Sequence, residues 1–310
     1  MQALIQFALL VLGFLLLVKG ADLFVDGAAG IANKFKIPAL IIGLTIVAMG
    51  TSAPEAAVSI SASLKGSASI AIGNIVGSNL LNILVILGLA ALFAKIKVQE
   101  STVKYEIPFV VFISIVLLCF GFFKGEVNFF GGVILWLLFI GYLTYLLIMA
   151  KKTNQQGEEI KDSPLVRLIV YLIIGVVMII FGSNMSVDAA VALAKMFGLS
   201  ERFIGLTIVA LGTSLPELVT SVTAARKGEA DIAIGNIVGS NIFNILFVIG
   251  TTALINPVIF ESKFFFDTIV SILAAVLLWI LVSKKKYLDR KDGIIMLVAY
   301  IIYFIILIVR

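Results

Sequence analysis

The sequence predicts an all-α, polytopic membrane protein with ten transmembrane helices, arranged as two inverted-topology repeats of five. Three observations predict this fold: the composition, the succession of apolar segments and an internal repeat. Of the 310 residues, 61% are hydrophobic and 13% are charged, and the mean hydropathy is +1.18. Soluble domains are about 45–50% apolar and about 25% charged, so the composition excludes a soluble enzyme, a nucleic-acid-binding protein and a disordered chain.

Ten apolar segments are each long enough to cross the roughly 30 Å hydrocarbon core of a bilayer. The only long polar segment, residues 151–163, separates a first five-helix repeat in residues 1–150 from a second, inverted one in residues 164–310. It is too short for a regulatory domain, so we expect a cytoplasmic linker. The predicted helices lie near residues 2–33, 38–64, 68–93, 105–123, 127–150, 164–196, 203–225, 230–255, 264–283 and 292–309.

The basic residues are distributed unevenly over this topology. Ten spans place both termini on one side of the membrane and the linker on the other. The linker side then carries 16 Lys and Arg residues and the opposite side carries 6. Because short cytoplasmic loops are enriched in Lys and Arg, we expect both termini outside and a multi-pass protein of the plasma membrane.

A gapless internal repeat is the strongest feature of the sequence. Shifted by 162 residues, segment 42–88 matches segment 204–250 at 31 of 47 positions. IGLTIVAMGTSAPE, residues 42–55, aligns with IGLTIVALGTSLPE, residues 204–217. Since each half has an odd number of spans, the second half inserts upside down relative to the first. Inverted repeats of this kind are typical of secondary transporters, whose binding site lies at the repeat interface near the midplane.

Two acidic residues, Glu55 and Glu217, occupy equivalent positions inside hydrophobic spans. A charge at the bilayer centre costs about 2.5–3.5 kcal/mol on insertion scales. Neither motif span contains a Lys or Arg that could neutralise it. We therefore expect the two carboxylates to meet in one cation site. The alternative is a structural pair that is permanently protonated.

A proline precedes each of these glutamates and predicts a broken helix. Pro54 and Pro216 lack an N–H and clash with the carbonyl four residues earlier, which belongs to Gly50 or Gly212. We expect the carbonyls of residues 48–51 and 210–213 to lose their helical partners. Free carbonyls at membrane depth persist only inside protein or along a cavity, where they can bind an ion.

The third and eighth predicted spans carry polar residues four apart, which share one helix face. Glycines beside them predict close helix packing, and hydrogen-bonded polar contacts between helices are the alternative to an ion site. The polar residues are Asn74, Ser78 and Asn82, repeated as Asn236, Ser240 and Asn244, with Asn79 and Asn241 beside them; the glycines are Gly73, Gly77, Gly235 and Gly239.

The available ligands are hard oxygens. The chain has no His, and we expect the lone Cys119 to be a small core residue. Catalytic triads and His-ligated metals are therefore excluded, and we expect neither an enzyme nor a cofactor. Carboxylate, amide, hydroxyl and carbonyl oxygens suit calcium and alkali ions. Two carboxylates at a dry midplane should cross the barrier only when cations or protons neutralise them, and this favours obligatory exchange.

The paired motifs GTSAPE and GTSLPE, with GNIVGSNLLN and GNIVGSNIFN, resemble the two alpha-repeats of the calcium/cation antiporter superfamily. The sodium/calcium exchangers are the closest branch. The resemblance covers the ten-span plan and implies a monomeric antiporter that binds inorganic cations within the lipid bilayer. It also implies that the first and sixth spans slide as a gating pair across the other eight.

The resemblance implies specific ligands in each half. Calcium would bind Glu55 and Glu217 with the carbonyls of Thr51 and Thr213. Sodium and shared ligands would be Ala48, Ala210, Ser52, Ser214, Ser78, Ser240, Asn82 and Asn244. Several family members, including the potassium-dependent branch, have Asp where this chain has Asn244. This departure implies exchange without potassium and leaves the number of sodium ions open, with three expected.

Two other functions are compatible with the same pattern. A calcium/proton exchanger would use the same two glutamates as proton carriers, although the Thr-Ser pairs favour sodium. A cation channel is a more distant alternative, because channels usually obtain their symmetry by oligomerising. The remaining acids, Asp22, Asp26 and Asp188, favour positions at helix ends near the interface, with an ion pathway as the alternative.

Overall fold

The computed structural model describes residues 2–65, 68–152, 164–197 and 210–309, which are almost entirely helical. Residues 153–163 of the expected linker and residues 204–209 of the second motif lie outside the described residues. The helices are α1 (Gln2–Lys34), α2 (Ala39–Ile42), α3 (Ala48–Thr51), α4 (Ala53–Leu64), α5 (Ser69–Leu80), α6 (Gly88–Phe93), α7 (Ile107–Lys124), α8 (Phe129–Lys152), α9 (Leu165–Met196), α10 (Ala210–Thr213), α11 (Leu215–Arg226), α12 (Ala230–Phe243), α13 (Gly250–Ile255), α14 (Ser262–Ser283) and α15 (Arg290–Val309).

In the described ranges, four wider π-helical segments interrupt or extend these helices. They are Gly43–Val47, Leu81–Leu87, Thr102–Glu106 and Asn244–Ile249. Such segments are rare and frequently occur at functional sites. Two of them, Leu81–Leu87 and Asn244–Ile249, occupy corresponding places in the sequence repeat, directly after α5 and α12.

Within the described ranges, seven helices are long and apolar enough to cross a membrane, or eight if a bent pair is one span. The pair is Ala39–Thr51 with Ala53–Leu64, which bend by 49°. The predicted span near 203–225 begins partly outside the described residues, and α15 begins with three charged residues. The structure therefore identifies a polytopic helical membrane fold, and the number of ten spans stays a prediction.

The spans differ in how deeply they are buried. The apolar window of Ala230–Ile255 is 94% buried and that of Ile70–Phe93 is 78% buried, against 17% for Gln2–Lys34. The third and eighth predicted spans thus form the centre of the bundle, where Ser78, Asn82, Ser240 and Asn244 are buried. Cys119, expected in the core, is exposed on the outer surface of α7, because the lipid-facing side of a span is as apolar as its packed side.

Helices α1 and α9 run antiparallel with their backbones in contact. A Cβ on Gly182 would lie 2.7 Å from the Gly13 carbonyl oxygen, and one on Gly175 would lie 2.7 Å from the Phe24 nitrogen. A Cβ on Gly27 would lie 2.9 Å from the Leu168 carbonyl. The glycines spaced seven residues apart on α1 therefore allow the backbones of α1 and α9 to lie closer together than any side chain would permit.

Polar contacts group the helix ends into two opposite faces. Gln99 donates to Asp231 at 2.6 Å and Lys286 lies 3.0 Å from Glu100, so these ends share what we call the link face. Asn256 donates to the Ser63 carbonyl at 2.6 Å, and these ends share what we call the terminal face. The hydrogen bond from Lys104 and that from Lys286 lower the pKa of the exposed Glu100 carboxyl to about 2.

Two antiparallel pairs of two-residue strands, which the sequence did not predict, close these faces. Strand β1 (Ile96–Lys97) pairs with β4 (Tyr287–Leu288), and β2 (Glu126–Val127) pairs with β3 (Val258–Ile259). Two residues are too few for an alternating pattern to be recognisable. Each pair joins a loop of the first half to a loop of the second.

The glycine contact between α1 and α9 predicts a steric effect. Gly182→Ala places a Cβ against the backbone of α1, and overpacking of this kind costs about 1–3 kcal/mol. We expect a lower thermal unfolding temperature of the purified protein in detergent.

The matched control is Gly141→Ala on the exposed surface of α8, where a Cβ meets no described atom within 4 Å. We expect the unfolding temperature of this variant to be unchanged or slightly raised, because Ala is the better helix former. Equal losses in both variants would contradict close packing of α1 on α9.

Candidate functional site

The two motif helices are broken one residue after α3 and α10. Ser52 (φ −83°, ψ 7°) separates α3 from α4, and Ser214 (φ −90°, ψ 5°) separates α10 from α11. Pro54 and Pro216 lie at the second residue of the new helices, where a missing N–H is tolerated. Each glutamate therefore lies in the first turn of a helix that begins inside the membrane.

Glu55 and Glu217 have no solvent exposure, and each accepts a hydrogen bond from the other half of the chain. Ser52 donates to Glu217 Oε1 at 2.7 Å, and Ser214 donates to Glu55 Oε1 at 3.4 Å. Ser78 on α5 also donates to Glu55 Oε1, at 3.3 Å, and its Oγ lies 3.2 Å from Ser214 Oγ. The structure thus brings the two glutamates and three of the predicted serines together.

Four oxygens around this cluster are buried without a hydrogen-bond partner: Glu55 Oε2, Glu217 Oε2, Asn82 Oδ1 and Asn244 Oδ1. A buried acceptor left unsatisfied costs about 1–3 kcal/mol, and a charged one costs more. Two carboxylates and two amide oxygens at repeat-related positions form a donor set that a hard cation would satisfy. The other buried unpartnered oxygens of the described residues belong to Thr102, Glu106, Ser186 and Thr220.

A set of four amides holds α5 and α12 together beside the carboxylates. Asn79 donates to the Asn241 carbonyl at 3.4 Å, and Asn241 donates to the Asn79 carbonyl at 3.4 Å. Asn82 donates to Asn241 Oδ1 at 3.0 Å, and Asn244 donates to Asn79 Oδ1 at 3.1 Å. These contacts use the amide nitrogens of Asn82 and Asn244 and leave their oxygens free. Asn79 and Asn241 are therefore structural, as the polar-contact alternative anticipated.

Further polar contacts lie beside the helix breaks. Thr51 Oγ1 donates to Asn236 Oδ1 at 3.0 Å, and Asn236 donates to Ser221 at 2.9 Å. Asn74 donates to Ser59 at 2.9 Å, which is the corresponding contact of the first half. The side-chain oxygen of Asn236 is therefore already occupied by the Thr51 hydroxyl.

The expectation that carbonyls near the breaks lose their helical partners is wrong at Ala48. Its carbonyl accepts the Ser52 N–H at 3.0 Å and the Ser240 hydroxyl at 3.5 Å. The Gly212 carbonyl has no helical donor, because Pro216 lacks an N–H, but it accepts the Ser183 hydroxyl of α9 at 2.9 Å. Ser183 was not predicted, because the sequence does not reveal which side chain of another helix replaces a lost helical donor.

Two further predicted ligands, Thr213 and Ala210, lie at the two ends of α10. Thr213 ends α10 and faces a cavity described below. The backbone of Ala210 begins α10, whereas its side chain lies outside the described part of the chain.

A cavity of about 530 Å³ reaches the breaks from the terminal face. It lies between α9, the start of α4 and the end of α10. Its lining combines apolar residues with the polar side chains of Ser183, Asn184, Asp188 and Thr213. Asp188, expected at a helix end, thus lines a cavity beside the helix breaks.

On the link side the corresponding path is closed. The Phe24 ring of α1 is 2% exposed, and a Cβ on Gly50 would lie 3.1 Å from its Cζ. Further out, Lys227 forms an ion pair with Asp26 at 2.7 Å. Burial, with smaller contributions from Asp231 and Asp26, raises the pKa of the adjacent Glu229.

Comparisons with known proteins agree with this geometry. The family described as "Sodium/calcium exchanger protein" matches residues 5–148 and 167–309. The inner membrane protein YrbG of Escherichia coli is 37% identical, over 96% of this chain and 94% of its own length. The sodium/calcium exchanger MaX1 of Methanosarcina acetivorans is 32% identical, over 98% of each chain.

A solved structure of the sodium-calcium exchanger NCX_Mj, soaked with 10 mM Na⁺ and 10 mM Sr²⁺, has a TM-score of 0.86. It is 32% identical to this chain, and the match covers 97% of this chain and 98% of that one. Both the paired motifs and the entire helical fold therefore lead to one assignment: the chain is a multi-pass membrane protein that belongs to the sodium/calcium exchanger protein family.

Proposed function

We propose that the protein is a secondary active antiporter that exchanges calcium for sodium by alternating access. The observation that carries this proposal is the pair of buried carboxylates, Glu55 and Glu217, each with one oxygen that has no partner. Membership of the exchanger family and the fold shared with NCX_Mj support it.

The site is proposed to bind calcium through the two glutamates and the Thr51 and Thr213 carbonyls. The free oxygens of Asn82 and Asn244 supply further ligands in the middle of the site. Calcium takes six to eight oxygens in flexible geometry, which this donor set accommodates. Sodium is assigned the hydroxyl and carbonyl positions around the breaks: Ala48, Ala210, Ser52, Ser214, Ser78 and Ser240.

The negative charge of the two glutamates couples the movement of calcium to that of sodium. An empty site with two ionised glutamates is costly to enclose, since neither carboxylate has a basic partner among the described residues. One calcium ion neutralises it, and so do sodium ions that bind together. Movement without a cation is therefore suppressed, and transport in one direction requires return of the counter-ion.

The stoichiometry is proposed to be three sodium ions for each calcium ion, which makes exchange electrogenic. A 10,000-fold calcium gradient requires about 5.5 kcal/mol. Three sodium ions crossing a tenfold gradient supply roughly 4 kcal/mol. The net charge moved adds about 2.3 kcal/mol per 100 mV. Asn244, an amide in place of an acid, favours exchange without potassium.

The proposed architecture has ten spans in two inverted repeats of five. The protein acts as a monomer in the plasma membrane, with both termini outside. Contacts that recur with a shift of 162 residues support it, such as Ser52 on Glu217 with Ser214 on Glu55. Helices α1 and α9 are the proposed sliding pair, because their backbones contact each other directly.

A calcium/proton exchanger remains the second candidate, since the same buried carboxylates could carry protons. The serine hydroxyls on both carboxylates favour sodium, because proton exchange needs no such coordination. A channel is disfavoured by the closed path at Phe24.

The first prediction separates these candidates. In proteoliposomes, an outward sodium gradient should drive calcium uptake, whereas a pH gradient alone should not, because the site is built for metal cations. Radioactive calcium uptake with each gradient in turn is the measurement. Uptake that ignores sodium and follows pH would replace the proposal by proton exchange.

The second prediction concerns the carboxylates. Glu55→Gln or Glu217→Gln should lower calcium exchange at least a hundredfold while the protein remains folded, because the site loses a charge that calcium must neutralise. The matched control is Glu106→Gln, another buried carboxylate with one unpartnered oxygen, which accepts a hydrogen bond from Tyr145 away from the site. Normal exchange in either site variant refutes the ligand assignment.

The third prediction distinguishes ligand from scaffold amides. Asn82→Ala removes a free oxygen and should weaken calcium binding about tenfold, or about 1.4 kcal/mol. Asn79→Ala removes the acceptor of Asn244 and should mainly lower the unfolding temperature, with a cost of about 1–3 kcal/mol. Calorimetric calcium binding and thermal unfolding of both variants check this. Identical profiles of the two variants would contradict the division.

A further inference from the structure

A lysine at the link face ties the proposed sliding pair to a site helix. Lys227 directly follows α11, the helix that begins beside Glu217. Its Nζ lies 2.7 Å from Asp26 Oδ1, 3.4 Å from Asp22 Oδ1 and 2.9 Å from the Asp22 carbonyl oxygen, all on α1. We call this contact the link-face latch. It spans the closed side of the molecule, outside the ring of Phe24.

The sequence repeat contains a second copy of these residues. With the same shift of 162 residues, Lys227 corresponds to Lys65, Asp26 to Asp188 and Asp22 to Asn184. Lys65 follows α4, the helix that begins beside Glu55, and the other two lie on α9. The second set therefore lies between a site helix and the sliding pair at the terminal face.

This second set is open in the structure. Asp188 and Asn184 line the cavity of about 530 Å³ that reaches the breaks. Within the part of the chain that the structure describes, neither Lys65 nor Asp188 forms an ion pair. The ion pair is thus formed at the closed link face, and the corresponding pair is not formed at the open terminal face.

We propose that Lys227 and Lys65 are positioning residues that latch the two faces in alternation. When α1 and α9 slide, the contact of Lys227 with Asp26 breaks, and Lys65 contacts Asp188 across the closing cavity. The proposal rests on the alternating access proposed above. It adds that charged residues outside the ion site set the balance between the two states.

The exposure of the latch suits a reversible contact. The side chains of Lys227 and Asp26 are 28% and 54% exposed, so water screens the attraction and the ion pair is weak enough to open. The glycine contact between α1 and α9 makes the two helices move as one body, so opening one latch brings the other set together.

The two latches are not equivalent in charge. Two carboxylates face Lys227, whereas one carboxylate and one amide face Lys65. The link-face latch should therefore be the stronger, and the state that opens toward the terminal face should predominate in the absence of ions. Glu229, near Asp26, adds a further acid on the link side.

Cysteine accessibility tests the proposal, because Cys119 is the only cysteine of the chain. The parent is Cys119→Ala with Val58→Cys, a position that lines the cavity. The readout is the rate of modification by a charged thiol reagent in nanodiscs, without calcium or an ion gradient. Lys227→Gln should lower the ratio of the terminal-open state to the link-open state about two- to fivefold, the effect of one partly exposed ion pair, and the labelling rate should fall with it.

Three further variants separate a latch from a merely structural contact. Adding Lys65→Gln to Lys227→Gln should raise the rate again and restore it in part, because the other state then loses its weaker latch as well. Exchanging the charges, Lys227→Asp with Asp26→Lys, should also restore it. Glu100→Gln, which removes a link-face ion pair that does not involve α1 or α9, should leave it unchanged.

The proposal is overturned if Lys227→Gln labels at the parental rate, or if Lys65→Gln lowers the rate further in the double variant. It is also overturned if the charge exchange fails to restore labelling in a folded protein. Because labelling requires no transport, these results are independent of whether the exchanged ions are calcium and sodium.

Discussion

The structure depends on two buried carboxylates that have no counter-charge among the residues the structure describes. There, Glu55 and Glu217 are held in place by serine hydroxyls and not by basic residues. A hydroxyl orients a carboxylate without neutralising it, so the charge remains available to a mobile cation. A lysine in the same place would have made the site stable and inert. The helix breaks, the serines and the surrounding amides all serve this arrangement.

The amides show how a polar site can be both rigid and open. Each of the four asparagines beside the site uses its nitrogen or its carbonyl to hold a neighbour. Only Asn82 and Asn244 keep a side-chain oxygen free. Both lie in π-helical segments, whose wider turn changes the direction of the side chain relative to a regular helix. The inner pair, Asn79 and Asn241, therefore holds the two helices together, whereas the outer pair, Asn82 and Asn244, keeps the side-chain oxygens that accept no hydrogen bond.

The meeting of the two glutamates with Ser52, Ser214 and Ser78 could be predicted from the sequence, because the repeat places identical residues in both halves. Their roles as ligands stay predictions. The paired strands, the exposed side of Cys119 and the donor that Ser183 supplies could not be predicted. Each depends on how helices that are distant in sequence lie against one another, and the repeat period does not specify this. The expectation for the carbonyls failed at Ala48, because the helix keeps the Ser52 N–H as a donor at the break.

The cavity has a further consequence for the proposed cycle, because the repeats diverge where they close. The link side is sealed by the phenyl ring of Phe24 against Gly50, whereas Gly212, which corresponds to Gly50 in the second half, lies against the smaller side chain of Val187. A seal built with a small aliphatic side chain in place of an aromatic ring covers less surface and is easier to rehydrate. The opening and closing of the link side would then differ in speed from the opening and closing of the terminal side, although the two halves have related backbones. A nearly symmetric fold therefore supports an asymmetric transport cycle.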